Sequence, residues 1–425
     1  MRTADLVASG LVRSLPPGTG VAAVRRGRST VVGVAPAEVR VASGSDAFTA
    51  LDTLTPGFWV GWCSFELGHA AERVVGRGAS TERARVPDSV FARFEASAVI
   101  DHRGSIRARG TGPGRALLDD AIAAPARESR ADRPPLPATH WESGLDRGEY
   151  ADRVDAVLEL LRAGECYQVN LTRRLTCDEA IDPVALYGAL ARAHPAPHLT
   201  LLQLPELGTG TAVVSASPER YLRVRHRDVE TRPIKGTAAS SAALRASSKD
   251  HAENVMIVDL ARNDLGRVCT PGSIRVPSLC SIESHPGLHH LVSTVRGSRR
   301  DDVGLGALVR ATFPPASVTG APKPRVLQAI EDLEPVRRGV YCGALGWVDT
   351  SAGDPERTTA DLAVAIRTFT VLGSPGAPGA GCTHFSVGGG IVADSRPDAE
   401  WAETELKAAR LLAVAGARTA TRAAS

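Results

Sequence analysis

The chain has 425 residues, of which 43% are hydrophobic, 23% charged and 4% aromatic, and its 50 basic and 47 acidic side chains leave a formal net charge of +3. This composition is typical of a globular protein with a large core, arranged either as two domains or as one large interleaved α/β domain. The balanced charge and the few aromatic residues provide neither the basic patch nor the stacking surface expected of a nucleic-acid-binding protein.

The sequence contains no recognisable targeting or membrane segment. The start, MRTADLVASGLVRSL, lacks the continuous apolar stretch of a secretory signal, and no later segment approaches the roughly 18 apolar residues that cross a membrane. The seven cysteines are widely spaced without a C-x-x-C pair, a pattern typical of reduced thiols rather than disulfides or a zinc site. We therefore expect a cytoplasmic protein without a membrane partner.

A charged, proline-containing segment at positions 124–144 predicts a linker. It divides the chain into an amino-terminal region, 1–145, and a second region, 146–415, followed by a disordered tail, 416–425. Segments such as STVVGVAP and GFWVGWCSFELG upstream predict strands and turns, whereas strands alternate with helices downstream. The fold class expected from this pattern is mixed α/β.

The second region begins with a helix and a polar-faced strand. Asp146 and Glu149 form a D-x-x-E capping pattern before a helical apolar period. The next segment, ECYQVNLTRRL, predicts a strand with Gln168, Asn170 and Thr172 on one face. Because antiparallel sheets often have one wet side, this segment taken alone favours an exposed sheet face over a functional one.

A later helix carries a carboxylate close to its apolar stripe. Ser247 predicts the start of this helix, and Glu253 shares helical spacing with Met256, Ile257 and Leu260. A buried carboxylate needs a cation, a metal ion or a proton, because an unpaired charge is costly in a low dielectric.

The last helix aligns Glu400, Glu403 and Lys407 on one face. The commoner meaning of this pattern is a solvated i, i+4 ion pair between Glu403 and Lys407, worth about 0.3–0.5 kcal/mol. Together with Glu253, however, the two acids also predict an oxygen-only site suited to Mg²⁺.

Lys235 lies between an X-Pro step and a glycine in RPIKGT, which indicates presentation from an irregular turn. A solvated turn lysine is the alternative. A nucleophilic lysine requires desolvation or a nearby cation, and Ile234 and Arg232 are compatible neighbours.

Two further features predict anion binding. Three consecutive glycines end an apolar strand, where backbone N–H groups could approach an anion: Gly388, Gly389 and Gly390. Arg367 is predicted to share a strand face with Ala363 and Ala365, whose small size leaves room for a carboxylate. The alternative for the glycine run is a β-bulge, and the alternative for Arg367 is a surface arginine on an edge strand. The segment GAPK lacks the spacing of a phosphate-binding loop, so ATP is not implied.

Eight ordered blocks carry a family resemblance: GECYQVNLTRRL, SASPERYL, RPIKGT, ENVMIVDLARNDLGRV, HHLVSTVRG, SVTGAPKPRV, AIRTF and GGGIVADSRPDAEWAETELK. They resemble the chorismate-utilising enzymes, namely the large subunits of anthranilate synthase and aminodeoxychorismate synthase, over roughly 146–412. The amino-terminal third is similar more loosely, through GFWVGWCSFELGHAAE. The resemblance implies an α+β fold like that of anthranilate synthase component I, in which both regions join one two-sheet sandwich flanked by helices.

Two positions distinguish the branches of this family. The aminodeoxychorismate branch carries PIKG, as this chain does at Lys235, where the anthranilate branch typically carries PIAG. Branches that add water carry a lysine where this chain has Gln168. The resemblance therefore implies conversion of chorismate and ammonia to 4-amino-4-deoxychorismate for p-aminobenzoate and folate synthesis. Anthranilate synthase is the alternative, and a non-catalytic chorismate-binding subunit is a third.

The resemblance also implies residue roles. Lys235 attacks the ring, and Glu219 is the general acid and later base, with His290 a weaker acid/base candidate. Mg²⁺ is held by Glu253 and Glu403, with Glu400 in the outer shell. The implied substrate-binding residues are Arg367, Lys407, Gly388, Gly389, Gly390, Thr319 and Gln168.

The family pattern has one departure, and two elements are absent. Pro315 and Ala316 stand where relatives commonly have a glycine pair, which bears on loop flexibility. No tryptophan-binding LLES-like element is evident near the amino terminus, so tryptophan feedback is not expected. No glutaminase nucleophile elbow is evident either, so ammonia is expected from a separate glutamine amidotransferase subunit.

Overall fold

The computed structural model describes residues 2–76, 86–124, 136–208, 210–238, 240–285, 288–373 and 381–417. Within these ranges, two antiparallel sheets are covered by helices, and the prediction of a two-sheet sandwich is confirmed. The helices are α1 (Arg2–Arg13), α2 (Asp46–Asp52), α3 (Leu67–Glu72), α4 (Pro113–Ala123), α5 (Arg147–Arg162), α6 (Pro183–Ala193), α7 (Ser241–Ala246), α8 (Ser248–Gly266), α9 (Leu305–Thr312), α10 (Lys323–Leu333) and α11 (Pro397–Val414). Short 3₁₀ turns cover Pro205–Leu207, Ala316–Val318 and Pro355–Arg357.

The strands are numbered in chain order, and their spatial order mixes early and late strands in both sheets. The first sheet runs β17 (Gly320–Ala321), β9 (Gln168–Cys177), β21 (Cys382–Ile391), β20 (Thr368–Leu372), β11 (Thr211–Ser217), β10 (His198–Leu204), β1 (Val21–Arg26), β2 (Ser29–Val34), β6 (Ala96–Ile100) and β7 (Ile106–Arg109), with β8 (Glu142–Ser143) beside β9. The second runs β14 (Ile234–Ala238), β16 (Leu288–Ser298), β13 (Asp228–Arg232), β12 (Arg220–Arg225), β19 (Thr359–Val364), β18 (Ala344–Asp349), β4 (Phe58–Cys63), β5 (Ser89–Phe94) and β3 (Glu38–Ala42), with β15 (Arg275–His285) beside β16.

Strands from both sides of the predicted boundary near residue 146 contribute to each sheet. β1 pairs with β10 in the first sheet, and β4 pairs with β18 in the second. Within the predicted linker, β8 pairs with β9, while 125–135 lie outside the described residues. Within the predicted tail, Ala417 forms a bridge with Thr139, while 418–425 lie outside the described residues. The two regions therefore share one sandwich.

Apolar side chains fill the space between the two sheets, and a second apolar cluster covers the outer face of the first sheet. Trp62 and Leu345 of the second sheet pack with Leu202 of the first in one buried cluster. On the outer face, Phe369 and Phe385 stack with their ring centroids 4.6 Å apart, in a cluster that includes side chains of α1, α6 and α11. This packing fixes α11 against the first sheet.

The helix starts predicted from capping patterns are confirmed. The amide of Glu149 donates to Asp146 at 2.8 Å, and the amide of Asp146 donates to Glu149 at 2.9 Å, which completes a capping box. Ser247 accepts a hydrogen bond from the amide of Asp250 before α8. The buried stripe of α8 is offset by one residue from the predicted one, so Glu253 lies beside it. The buried residues of α8 are Asn254, Ile257, Val258, Ala261, Asp264 and Leu265.

The polar face of β9 is buried, so the interpretation of an exposed sheet face is wrong. Gln168, Asn170 and Thr172 are 0%, 7% and 4% exposed. An alternating strand has the same sequence pattern whether its polar face meets water or a polar interior. In this protein the polar surroundings of β9 include an ion pair, distant in sequence, that contacts the backbone of Asn170 and Thr172.

This ion pair joins Glu334, which follows α10, to Arg338. Nη2 of Arg338 lies 2.6 Å from Oε1 of Glu334, and both side chains are buried. Glu334 also accepts a hydrogen bond from the amide of Thr172 at 2.8 Å, while Arg338 donates to the carbonyls of Asn170 and Val318. The pair therefore fixes β9 relative to the turn that precedes β17.

Breaking this pair should destabilise the protein more than removing it. Glu334→Gln or Arg338→Met leaves one buried charge without its partner, and we expect each to lower the unfolding free energy by about 3–5 kcal/mol. The double variant should cost less than the sum of the two. Urea unfolding followed by circular dichroism measures this. Single-variant losses below about 1 kcal/mol, as for a surface pair, would contradict it.

Two further observations concern membranes and thiols. Among the described residues, no helix combines the length and the apolar composition that a membrane span requires. All seven cysteines are free thiols. Burial raises the pKa of Cys63 to about 12 and that of Cys269 to about 11, so both thiols are protonated at neutral pH.

Candidate active site

Two links between the sheets run side by side and carry two of the predicted site residues. Pro218 and Glu219 connect β11 to β12, and 365–367 connect β19 back to β20. The amide of Val364 donates to the carbonyl of Glu219, and the amide of Ala216 donates to the carbonyl of Arg367, both at 3.0 Å. These bonds hold both links in fixed positions.

Glu219 is a buried acid that titrates near neutrality. Its side chain lies in the interior, with the residue 4% exposed. Burial raises the pKa of Glu219 to about 7, although Ser317, Lys235 and the amide of Ile234 favour the ionised form. The carboxyl group can therefore release or accept a proton at neutral pH, as a general acid/base must.

Lys235 lies on strand β14, so the prediction of an irregular turn is wrong. The pairing of β14 with β16 shifts register between Ile234 and Thr237, as in a β-bulge. Gly236 within this shift has a φ of +81°, and a Cβ atom there would lie 2.9 Å from Cβ of Asp250 on α8. Only glycine allows this close approach. A bulge changes the direction of the adjacent side chain. The local sequence RPIKGT is compatible with either a turn or a bulge, so it could not distinguish the two.

The amine of Lys235 is buried beside an acid. Its side chain is 12% exposed, and Nζ lies 4.0 Å from Oε2 of Glu253. Burial lowers the pKa of Lys235; Glu253 opposes this shift and Lys407 adds to it. The predicted neighbouring cation, Arg232, instead pairs with Glu283. The amine therefore loses its proton at lower pH than an exposed lysine, which favours nucleophilic attack.

Three glutamates from two helices lie at the same site as Lys235: Glu253 on α8, and Glu400 and Glu403 on α11. Burial raises the pKa of Glu253 and of Glu400, whose Oε1 accepts a hydrogen bond from Ser395 at 2.6 Å. Burial also acts to raise the pKa of Glu403, but Lys407 leaves it lowered overall. Glu403 and Lys407 form the i, i+4 ion pair that the alternative interpretation predicted. Nζ of Lys407 lies 2.6 Å from Oε1 of Glu403, and both side chains are about half exposed.

The acids fit a partly open Mg²⁺ site. Glu253 and Glu403 both act on the pKa of Lys235, so the two helices direct negative charge to one place. Among the described residues, no three His, Cys, Asp or Glu side chains are grouped as a metal site. Mg²⁺ commonly takes only one or two protein carboxylates and completes its shell with water and substrate oxygens. The donor set therefore suits an ion held by two glutamates rather than a closed protein cage.

The glycines of β21 make room for site side chains. They lie inside the strand and pair with β9. A Cβ atom on Gly389 would lie 2.9 Å from Oε2 of Glu400, and one on Gly390 would lie 2.7 Å from Nε2 of Gln168 and 3.2 Å from Nζ of Lys235. Any larger residue at these positions would displace those groups.

The remaining predicted residues differ in how available their side chains are. Gln168 is fully buried, and neither amide atom has a hydrogen-bond partner among the described residues. Such an amide is costly unless a polar ligand or water satisfies it. The hydroxyl of Thr319 donates to the carbonyl of Pro315 at 3.1 Å, so it is already engaged. His290 is buried, with Nδ1 2.8 Å from Oγ1 of Thr237.

Arg367 does not share a strand face with alanines, and that prediction is wrong because β19 ends at Val364. Arg367 lies in the link to β20 with a φ of +53°, and its Nη1 donates to Nε2 of His194 at 3.1 Å. Its pKa is lowered to about 10 by burial, so it stays charged at neutral pH. Lys407, the other predicted cation, donates to the carbonyl of Gly388 at 2.9 Å.

Sequence reasoning missed the arginine that anchors α11. Nε of Arg173 donates to the hydroxyl of Thr404 at 3.0 Å, and its guanidinium lies 4.1 Å from the ring centroid of Trp401. This contact positions the helix that carries Glu400 and Glu403. The alternation along β9, which places Arg173 opposite the polar face, was the available signal.

Sequence reasoning also missed Lys249, which the scarcity of lysine in the chain could have indicated. The chain has only four lysines, at positions 235, 249, 323 and 407, among its 50 basic residues. Lys249 lies at the same site, with Nζ 3.9 Å from Oε1 of Glu253. Three of the four lysines therefore surround these acids.

Comparison with known proteins identifies the family. Residues 23–413 match the family described as chorismate binding enzyme. The chain belongs to the chorismate-binding enzyme family. The match begins well before residue 146, so most of the amino-terminal region belongs to the same family unit as the second region.

Two curated relatives represent two branches of the chorismate-binding enzymes. Aminodeoxychorismate synthase component 1 of Klebsiella aerogenes is 41% identical over 282 residues, which cover 64% of this chain and 59% of the relative. Anthranilate synthase component 1 of Streptomyces coelicolor is 36% identical over 357 residues, which cover 77% of this chain and 67% of the relative. The chain thus spans less than two thirds of the length of the first.

The fold is that of a solved family member. Anthranilate synthase component I from Streptococcus pneumoniae superposes with a TM-score of 0.75 at 24% identity, covering 91% of this chain and 92% of that one. The predicted likeness to the anthranilate synthase component I fold is confirmed.

A methyl group at position 390 should disable the site without unfolding the protein. Gly390→Ala would crowd Gln168 and Lys235, and we expect the calorimetric Kd for chorismate to rise at least about tenfold, since an added methyl group must displace both side chains. Calorimetry with thermal melting measures this. Gly10→Ala is the matched control, because no atom of the described residues lies within 4 Å of a Cβ at that position. Equal affinity of both variants would contradict the close packing.

The raised pKa of Glu219 also predicts a stability effect. The folded protein holds this proton more tightly than the unfolded chain, so the stabilisation is full below the ordinary value of 4.5 and is lost as pH rises to about 7. Glu219→Gln cannot ionise, and at pH 8 it should be more stable than the wild type by up to about 3 kcal/mol. Denaturant unfolding at pH 4 and pH 8 tests this. If the difference in unfolding free energy between Glu219→Gln and the wild type were the same at pH 4 and pH 8, the burial of the charge would be contradicted.

Proposed function

We propose that this chain is the chorismate-binding component of an aminodeoxychorismate synthase, which converts chorismate and ammonia to 4-amino-4-deoxychorismate. The observation that carries the proposal is the desolvated amine of Lys235, 4.0 Å from Glu253 and adjacent to the buried amide of Gln168. The identity of 41% to a relative named aminodeoxychorismate synthase component 1 supports it.

The reaction proceeds in two displacements. The neutral amine of Lys235 forms a bond to ring carbon C2 while the C4 hydroxyl leaves, and Glu219 donates the proton that turns this hydroxyl into water. Ammonia then bonds to C4, the C2–nitrogen bond breaks, and Glu219 takes up the proton released by the new amine. Covalent catalysis of this kind divides one difficult displacement into two easier ones.

The other site residues bind and orient the substrate. Arg367, Lys407 and the backbone of the β21 glycines hold the carboxylates of chorismate. Gln168 provides a hydrogen-bonding amide beside the reacting face. His290, held by Thr237, stays a weaker acid/base candidate.

Glu253 and Glu403 would hold Mg²⁺, with Glu400 kept beside them by Ser395. When bound, the ion supplies charge that stabilises electron density developing next to the ring carboxylate. The glutamates themselves orient this charge from two helices that are fixed independently.

The cellular setting belongs to the same proposal. The relative's name, component 1, implies a second component, which we take to be a glutamine amidotransferase subunit that delivers ammonia. The product would serve p-aminobenzoate and folate synthesis. Seven free thiols are compatible with a reducing compartment such as the cytoplasm.

Anthranilate synthase is the second candidate, because a relative of that name is 36% identical over 77% of the chain. The two functions differ in their need for the amine at position 235. A non-catalytic chorismate-binding subunit is less favoured, because Glu219 titrates near neutrality and the pKa of Lys235 is lowered.

Product analysis separates these candidates. With chorismate, Mg²⁺ and ammonium, we expect 4-amino-4-deoxychorismate by liquid chromatography and mass spectrometry. Lys235→Ala should lower kcat on the order of 10²-fold or more while chorismate binding by calorimetry is retained. Anthranilate as the sole product, with Lys235→Ala fully active, would instead establish the second candidate. Binding without turnover would identify the non-catalytic subunit.

A further inference from the structure

Arg367 has a neutral side chain as its hydrogen-bond partner. Its φ of +53° lies in the left-handed region that residues other than glycine rarely adopt, so its backbone is set by the surrounding structure. Nη1 donates to Nε2 of His194 at 3.1 Å. Among the described residues, no carboxylate forms an ion pair with Arg367, although the buried Glu219 acts on its pKa.

His194 is suited to accept this hydrogen bond. It follows directly after α6, which packs in the same apolar cluster as α11, so its position is fixed by the fold. Burial, together with the charges of Arg367 and Arg410, lowers the pKa of His194 to about 4. The imidazole is therefore neutral at physiological pH, and with the proton on Nδ1 its Nε2 is an acceptor.

We propose that His194 is a positioning residue that orients the guanidinium of Arg367 so that its remaining N–H groups receive a carboxylate of the substrate. This inference rests on the proposed function, which assigns a chorismate carboxylate to Arg367. A neutral acceptor fixes the direction of the guanidinium and leaves its charge available. An acid at position 194 would compete with the substrate carboxylate for the same N–H groups.

Arg410 strengthens the same preference. It lies on α11 and acts on the pKa values of both Arg367 and His194, so the three side chains share one positively charged region. An anion entering this region relieves the repulsion between the two arginines. Glu219 acts on the pKa of Arg367 in the opposite direction, but less than Arg410 does, so the region favours negative charge from outside the protein.

The test compares two replacements of His194 in the full chain. His194→Leu removes the acceptor at similar size, whereas His194→Gln keeps a neutral acceptor oxygen. We expect His194→Leu to raise the KM and the calorimetric Kd for chorismate about tenfold with kcat within about twofold, the effect of one charge-assisted hydrogen bond. His194→Gln should stay within about threefold of the wild type, and all melting temperatures should agree closely.

Three results would overturn the inference. The first is wild-type affinity of His194→Leu for chorismate. The second is a joint fall of kcat and melting temperature in both variants, which would indicate a purely structural role. The third is an unchanged Kd for Arg367→Gln, which would remove the carboxylate contact itself. If the wild type still forms 4-amino-4-deoxychorismate, these outcomes reject the role of His194 and leave the proposed function standing.

Discussion

Removal of water from Lys235 and Glu219 is the constraint on which the rest of the site depends. In water, both groups would be charged at neutral pH, and an ammonium ion does not attack carbon, nor does a carboxylate donate a proton. Burial changes this from both sides, because it lowers the pKa of Lys235 and raises that of Glu219 to about 7. The same burial costs stability, which the surrounding scaffold must offset.

The scaffold offsets this cost by fixing each site element through contacts outside the site. Glu334 and Arg338 hold β9, and Arg173 holds α11 through Thr404 and Trp401. Paired backbone hydrogen bonds hold the two links that cross between the sheets. Because separate interactions position each element, the buried charges need not organise the site by themselves. The chorismate-binding family fold therefore provides a preorganised polar interior within an otherwise apolar sandwich.

Local chemistry could be predicted from the sequence, and tertiary pairing could not. The capping residues at Asp146 and Ser247 determine helix starts through neighbours within three positions, so those starts were predictable. The register shift at Lys235 depends on pairing with β16, and the contact of Thr172 with Glu334 joins residues more than 160 positions apart in the chain. The left-handed backbone of Arg367 lies in the link that crosses from β19 to β20, and no local sequence pattern indicated it.

The most direct test of this account is the pKa of Lys235 itself. Competitive labelling with a small amine-reactive reagent at a series of pH values, read by peptide mass spectrometry, is well suited to a chain with four lysines, and the half-exposed Lys249 is an internal reference. We predict that labelling of Lys235 titrates with a midpoint clearly below 10.5, the ordinary value for lysine. A midpoint at or above that value would show that burial does not free the amine, and the proposed mechanism would be wrong.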